Sequence, residues 1–302
     1  LNFKKNVKFI ERDIKNPKSL NKIIKNYKPD YIFHLAAQSI VKKSYLRTFE
    51  TWETNLLGTV NLLESLKNYK KKITVVIITS DKAYKNIETS KGYKEDDLLG
   101  GIDPYGASKS AAELAIQSYV KSFFNKKKNI SIAVARAGNV IGGGDWSENR
   151  LVPDCIKSWL KKKVVTIRSP NSTRPWQHVL EVINGYLILA IKLKLNKKLH
   201  GESFNFGPEM KKNFKVIEVL KSSKMYWNTV NWKIKNKRSF YENKLLNLNS
   251  NKAKKYLNWK PVLSFADTIK LTIEWYRGYA ENKKDIYKLS LNQINYFKKL
   301  LK

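Results

Sequence analysis

The sequence predicts an α/β fold, a doubly wound parallel sheet with a smaller α/β lobe attached, and three observations carry that prediction. Apolar β-branched runs alternate with amphipathic helical stretches, as parallel βαβ units require. The run from Ile73 to Thr79 is continuously apolar or β-branched, the pattern of a strand buried on both faces. A chain of 302 residues can also bury a sizeable core, and its single cysteine excludes an internal disulfide framework.

Taken in order, residues 7–14 read as a short strand ending at Asp13, and residues 19–27 as a helix with Leu20, Ile23 and Ile24 on one side. Residues 31–37 form the next strand, whose terminal Ala36 and Ala37 leave room for a ligand to approach the backbone before Gln38. A long helix covers residues 48–69, with Asn55 and Gly58 inside it. The buried strand of residues 73–80 follows, then a helix from Asp103 to about Phe124, then a strand over 130–140. Beyond Asp145 come helices over 153–161, 182–193, 216–227, 253–259 and 265–279, a short strand over 164–168, and a turn over 204–208. A Lys-rich amphipathic tail starts at Ile286. The expected division is 1–145 for the first domain, with 178–200 returning to it, and 146–302 mainly for the second lobe.

The net charge of +34 invites a nucleic-acid reading. Lysine is spread through every segment, however, with no aromatic-interleaved basic stripe, zinc knuckle or helix-turn-helix pattern, so no nucleic-acid partner is expected. Such a field would still attract a nucleotide diphosphate. No apolar run is long enough to span a membrane and no signal peptide is visible, which points to a reducing cytoplasm. Three histidines and one cysteine form no metal-ligand spacing, so no metal is expected, and Cys155 reads as a packing residue.

The chemistry gathers at the helix that opens at Asp103. Asp103 suits the N-cap and Pro104 the first helical position, where a missing N–H costs nothing. Tyr105 and Lys109 then share one face, where the ammonium favours the phenolate. Ser80, Asp81 and Lys82 stand at the carboxyl end of the buried strand, the end at which open α/β sheets bind ligands. No glycine precedes Gly58, so the glycine-rich turn that places a pyrophosphate on a helix N-terminus is missing from the first βα unit. The run Gly142, Gly143, Gly144 reads instead as a loop near the substrate. A segment on the order of 50 residues is therefore expected before Leu1, since one βαβ unit needs about 30 or more.

These residues resemble the CDP-glucose 4,6-dehydratase family of the extended short-chain dehydrogenase/reductase superfamily, the NAD-dependent epimerases and dehydratases. The likeness runs from Val7 to about Tyr279. It rests on Phe33 to Gln38 (FHLAAQ), Thr79 to Lys82 with Tyr84, Gly100 to Tyr105 with Lys109, Ala135 to Trp146 (ARAGNVIGGGDW), Arg174 to Glu181 (RPWQHVLE), Asn205 to Pro208, and Glu274 to Arg277. It implies a Rossmann-like fold and NAD as cofactor. The reaction implied is an internal redox step on a nucleotide-diphosphate hexose that yields a 4-keto-6-deoxy sugar and water, within deoxysugar or surface-polysaccharide synthesis.

By resemblance, Tyr105 takes the O4 proton, Lys109 holds the ribose and tunes Tyr105, and Ser80 stands with them at the strand tip. Asp81 is the acid at the C6 hydroxyl and Lys82 the base at C5. Asp13 matches the acidic residue that contacts adenine, with Ile14 beside it. Ala36, Ala37 and Gln38 match the cofactor-side turn, and Asn139, Arg150, Arg174 and His178 match positions lining the nucleotide-sugar site. His34 and His200 read as structural. A cytoplasmic homodimer is implied. Without the expected glycine-rich segment, NAD binding should be weak or absent. Three alternatives stay open: a dehydratase for UDP-N-acetylglucosamine or GDP-mannose, a 4-epimerase, and a non-catalytic chain that only binds a nucleotide sugar. The inverting UDP-N-acetylglucosamine dehydratases often carry Met at the Tyr105 position, and epimerases usually carry small residues where Asp81 and Lys82 stand.

Overall fold

The computed structural model describes residues 7–89, 91–209, 214–235, 245–281 and 285–302. In chain order the elements are α1 (Pro17–Tyr27), β1 (Tyr31–His34), α2 (Val41–Leu46), α3 (Thr48–Trp52), a π turn (Glu53–Leu57), α4 (Gly58–Lys67) and β2 (Ile73–Ile78). A 3₁₀ turn (Asp81–Ala83) precedes α5 (Pro104–Tyr119), a second π turn (Val120–Phe124), β3 (Ile130–Ala137), β4 (Val140–Ile141), α6 (Leu151–Leu160), β5 (Val165–Ile167), β6 (Thr173–Arg174) and β7 (Gln177–His178). Then come α7 (Val179–Leu195), β8 (Ser203–Phe206), β9 (Phe214–Lys215), α8 (Val216–Lys224), β10 (Trp232–Ile234), α9 (Asn251–Leu257), α10 (Phe265–Glu281) and α11 (Ile286–Leu300).

The chain divides into two compact units. The first comprises Leu1–Lys85, Asp97–Arg136 and Tyr186–Phe204, the second Asn86–Asp96, Ala137–Gly185 and Asn205–Lys302. The main sheet has the order β1-β2-β3-β8, with β1 parallel to β2 and β2 parallel to β3. Every residue of β3 and all but the last of β2 are buried, so both faces of these strands are covered. One face packs Val75, Ile77, Ile132 and Val134 against Leu62, Leu63 and Leu66 of α4 and Ile116 of α5. This is the doubly wound α/β arrangement that the alternation of strands and helices predicts.

The second unit has its own core, where Cys155, Ile156 and Trp159 of α6 meet Val219 and Leu220 of α8 and Ile269, Ile273 and Tyr276 of α10. Cys155 is buried, and burial followed by the charge of Asp154 pushes its thiol up to about 12, which suits a packing residue.

Four expectations need correction. Residues 7–14 form no strand: among the described residues the segment pairs with nothing, and an unpaired strand cannot satisfy its N–H and C=O groups. Val7, Phe9 and Ile10 are accordingly exposed. The presumed turn over 204–208 begins as strand β8, which extends the sheet beyond β3 and buries Phe204 and Phe206 completely. β1 ends at His34, so Ala36, Ala37 and Gln38 follow the strand rather than belong to it. The long helix over 48–69 is interrupted by the π turn, in which Asn55 turns its amide away to the segment after β1.

Candidate active site

α5 starts as its sequence requires. Asp103 caps it, its Oδ1 accepting the Gly106 N–H at 2.9 Å, and Pro104 occupies the first turn. Two glycines let this start sit tight on the strand tip. A Cβ on Gly106 would lie 2.7 Å from the Lys82 carbonyl oxygen, and one on Gly101 would lie 2.2 Å from the Gly106 carbonyl carbon. Ser110, one turn further on, donates to the Ala83 carbonyl (2.7 Å) and accepts from the Gly101 N–H (2.9 Å), stitching helix, turn and loop together.

The residues so assembled are those of the proposed chemistry. Ser80 caps the 3₁₀ turn, accepting the Lys82 N–H at 3.2 Å, and its hydroxyl donates to Asp81 Oδ1 at 3.0 Å. Ser80 and Asp81 are buried, while Lys82 is partly exposed and pairs with Asp103 at 3.8 Å. Tyr105 and Lys109 are both buried on α5, and Lys109 Nζ donates to the Ile78 carbonyl at the end of β2 (3.2 Å). Burial lowers Lys109 to about 8, against the opposing pull of the Glu113 carboxylate.

His34 closes β1 with its Nε2 3.1 Å from Thr59 Oγ1, and burial, then the Lys109 charge, lowers it to about 4. It is a neutral, hydrogen-bonded residue of the strand end. Behind it, Asn55 accepts the Gln38 N–H (2.8 Å) and donates to the Gln38 carbonyl (3.0 Å) and Ser108 Oγ (2.9 Å). The π turn thus links the segment after β1 to α5, and π turns often mark functional sites. Asn55 was visible in the sequence as an amide inside a helical stretch, but its partners were not.

On the cofactor side, Asp13 stands exposed in a turn, its Oδ1 accepting the Lys15 N–H at 2.9 Å. Ile14 packs on Gly58, Ala36 is exposed, Ala37 half-buried, and Gln38 is buried with its amide donating to Thr51 Oγ1 at 2.9 Å.

In the second unit, β4 and β7 pair in parallel with Ile141 opposite His178, and the Asn139 carbonyl just before β4 accepts the Gln177 N–H at 3.1 Å. His178 is buried, its Nδ1 accepts the Leu180 N–H at 3.3 Å, and burial lowers it to about 4. Arg150 reaches Asp145 at 3.5 Å. Arg174 is buried in β6 and, with Trp176, Gln177, Glu181 and Phe214, lines a cavity of about 320 Å³. Asn139, Arg150 and His178 are not in that lining. The run Gly142, Gly143, Gly144 packs on α10 and the start of α7: a Cβ on Gly143 would lie 2.1 Å from the Trp275 ring, and one on Gly142 2.6 Å from Val179. Close packing explains Gly142 and Gly143, and a φ of +86° explains Gly144.

Sequence reasoning gave no role to Thr79, Tyr84, Glu113 and Arg136, although all but Glu113 fall in runs that carry the family likeness. Arg136 is the only charged residue of β3, and Glu113 repeats the four-residue spacing of Tyr105 and Lys109.

Comparison with known proteins fits this geometry. The model of the GDP-mannose 4,6-dehydratase family matches residues 1–272. This chain belongs to that family. CDP-glucose 4,6-dehydratase of Salmonella typhimurium is 38% identical over 273 residues, spanning 88% of this chain and 76% of the relative. Human dTDP-D-glucose 4,6-dehydratase is 26% identical over 294 residues, spanning 94% and 79%. Among solved structures, the UDP-glucose 4-epimerase of Thermotoga maritima with UDP-glucose superposes with a TM-score of 0.79 at 24% identity, covering 90% of this chain and 85% of that one. The dTDP-glucose 4,6-dehydratase of Bacillus anthracis in complex with NAD gives 0.77 at 22% identity, covering 94% and 84%. Both share the fold. Among the described residues no helix is long and apolar enough to cross a membrane.

Proposed function

We propose that this chain converts CDP-glucose to CDP-4-keto-6-deoxyglucose and water. It is a nucleotide-sugar 4,6-dehydratase that works with NAD, and the likeness to the Salmonella enzyme supports CDP-glucose as the substrate. The observation that carries the reading is the packing of the Tyr105 and Lys109 helix start onto the turn that presents Ser80, Asp81 and Lys82.

The residues present fit the cofactor. Ala36 and Ala37 offer little side-chain bulk after β1, Asp13 offers a carboxylate for the adenine, and the buried Lys109 stands one helical turn from Tyr105 on α5. NAD held there would supply the two-electron acceptor for the hydride from C4 and the donor that returns it to C6, so the reaction would need no outside oxidant.

Tyr105 as phenolate takes the O4 proton when C4 becomes a ketone, and Lys109 as ammonium favours that phenolate. The ketone acidifies C5–H. Lys82 takes the C5 proton, for which it must leave Asp103 and be neutral, while Asp81 protonates the departing C6 hydroxyl so that water leaves. Ser80 orients Asp81 through their hydrogen bond. Arg174 suits the diphosphate because a guanidinium is planar and always charged, and Asn139, Arg150 and His178 complete the nucleotide-sugar side of the reading. By the family likeness, a cytoplasmic homodimer is part of the same proposal.

A panel of CDP-glucose, dTDP-glucose, GDP-mannose and UDP-N-acetylglucosamine, given to the chain carrying a glycine-rich first βα unit and read by absorbance of the 4-keto product, tests the substrate. CDP-glucose should be turned over and the others poorly; preference for the UDP-amino sugar would move the assignment there. Lys82→Met should still form NADH in a single turnover but lose product by about a hundredfold or more, with no solvent deuterium entering at C5. Product at the parent rate would remove Lys82 from the mechanism.

A further inference from the structure

Tyr105, Lys109 and Glu113 recur at intervals of four on one face of α5, and all three are buried. The reading above uses the first two and leaves Glu113 without a part. The Glu113 carboxylate accepts from Arg136 of β3, whose Nε lies 2.8 Å from Oε1 and whose Nη2 lies 2.5 Å from Oε2. Both side chains are about 1% exposed. Replacing a buried ion pair by apolar residues of similar size is often neutral or stabilising, so stability alone is a poor account of why two charges stand here.

The further partners of the pair give a better one. Thr79 Oγ1 donates to Glu113 Oε1 at 2.6 Å. Arg136 Nη1 donates to the Tyr84 hydroxyl at 2.6 Å, and the guanidinium lies over the Tyr84 ring at 4.7 Å from its centroid. Thr79 immediately precedes Ser80, and Tyr84 immediately follows the 3₁₀ turn. The carboxylate therefore holds one end of the segment carrying Ser80, Asp81 and Lys82, and the guanidinium holds the other. Glu113 also helps Lys109, since its negative charge opposes the effect of burial on that ammonium.

We propose that the Glu113–Arg136 pair is a positioning device for the dehydration step, fixing the Ser80–Lys82 turn through Thr79 and Tyr84 against the helix that bears Tyr105 and Lys109. The proposal rests on the 4,6-dehydratase reading. It separates the two halves of the reaction. Tyr105 and Lys109 ride on α5, which has its own cap and first-turn proline, so C4 oxidation does not depend on the Tyr84 end of the turn. Asp81 and Lys82 ride on the turn itself, where a displacement of an ångström can cost up to about a hundredfold.

The test uses Tyr84→Phe, which removes one hydroxyl and keeps the ring on the guanidinium, and Thr79→Val, with Thr79→Ser as the conservative partner. In Tyr84→Phe and Thr79→Val the melting temperature should hold, single-turnover NADH formation should stay at the parent rate, and product formation should slow by about tenfold to a hundredfold. Amide hydrogen exchange at Lys82, Ala83 and Tyr84 should quicken without any substrate present, and Thr79→Ser should behave as the parent. The double variant Glu113→Leu with Arg136→Met, folded by its melting transition, should slow product formation more than NADH formation, which also falls because the Lys109 ammonium loses the Glu113 charge. Parent product rates in both Tyr84→Phe and Thr79→Val would overturn the proposal, as would an equal fall of both steps in proportion to lost stability. A parent enzyme that carries a glycine-rich first βα unit and binds NAD yet makes no 4-keto product from any nucleotide sugar overturns the underlying reading instead, and the proposal with it.

Discussion

The segments that follow β2 and β3 are built by opposite means. After β2, polar side chains fix the backbone: Ser80 caps the turn, Ser110 and Asp103 tie the turn and loop to α5, and Glu113 and Arg136 hold its ends. After β3, the absence of side chains fixes it, because Gly142 and Gly143 admit Val179 and Trp275 where a Cβ would clash, and Gly144 takes a φ of +86°. The first construction can move protons, and its failure should show in rates. The second can only pack, and its failure should show in stability.

The largest effect expected from breaking this contrast is in Tyr105→Phe. Loss of a positioned acid/base group should abolish NADH formation and product together, by about a hundredfold or more, while thermal melting stays at the parent value. A Tyr105→Phe enzyme that still oxidises C4 would put the base elsewhere.

A graded effect should come from pH. Lys109 sits at about 8, lowered by burial from its ordinary 10.5, so its ammonium is lost as pH rises through that value. The rate of NADH formation in a single turnover should then fall about tenfold per pH unit above it. Stability should move the other way. The unfolded chain holds the Lys109 proton up to 10.5, so between about 8 and 10.5 it binds more protons than the folded chain, and unfolding becomes harder as pH rises. Urea melts of the parent and of Lys109→Met across that window isolate the contribution; a difference that is flat or falls with pH would contradict it.

The smallest effect should be Gly143→Ala. Its Cβ would lie 2.1 Å from the Trp275 ring, which bonds Ser290 through Nε1 at 3.0 Å and stacks on Tyr279. Displacing that ring should cost about 1–3 kcal/mol, read as a lower melting temperature. Oxidation at C4 should keep its rate below the transition. Unchanged melting would show that Trp275 shifts freely.

The same contrast explains what could be read from the amino-acid sequence. Local patterns were legible: the cap at Asp103 with Pro104, the apolar run of β2, the Tyr105–Lys109 spacing. Relations across the chain were not. Arg136 and Glu113 stand 23 residues apart, and nothing local says that a lone arginine in a strand will meet a glutamate on the preceding helix. β8 was lost for a different reason, since Gly207 and Pro208 signal a turn strongly enough to hide the period-2 alternation of Phe204 and Phe206. The strand expected over 7–14 shows the converse, an apolar pattern without a partner among the described residues.

The π turn at Glu53–Leu57 has a consequence for helical register. A π turn holds one residue more than an α turn, so the helix on its two sides is rotated by about 100° relative to an unbroken one. Thr51, before the turn, accepts from Gln38, and Thr59, after it, meets His34. Deleting a single residue from Glu53–Leu57 would leave a regular helix that cannot face both partners at once, so either the Gln38 clamp or the His34 contact would have to let go.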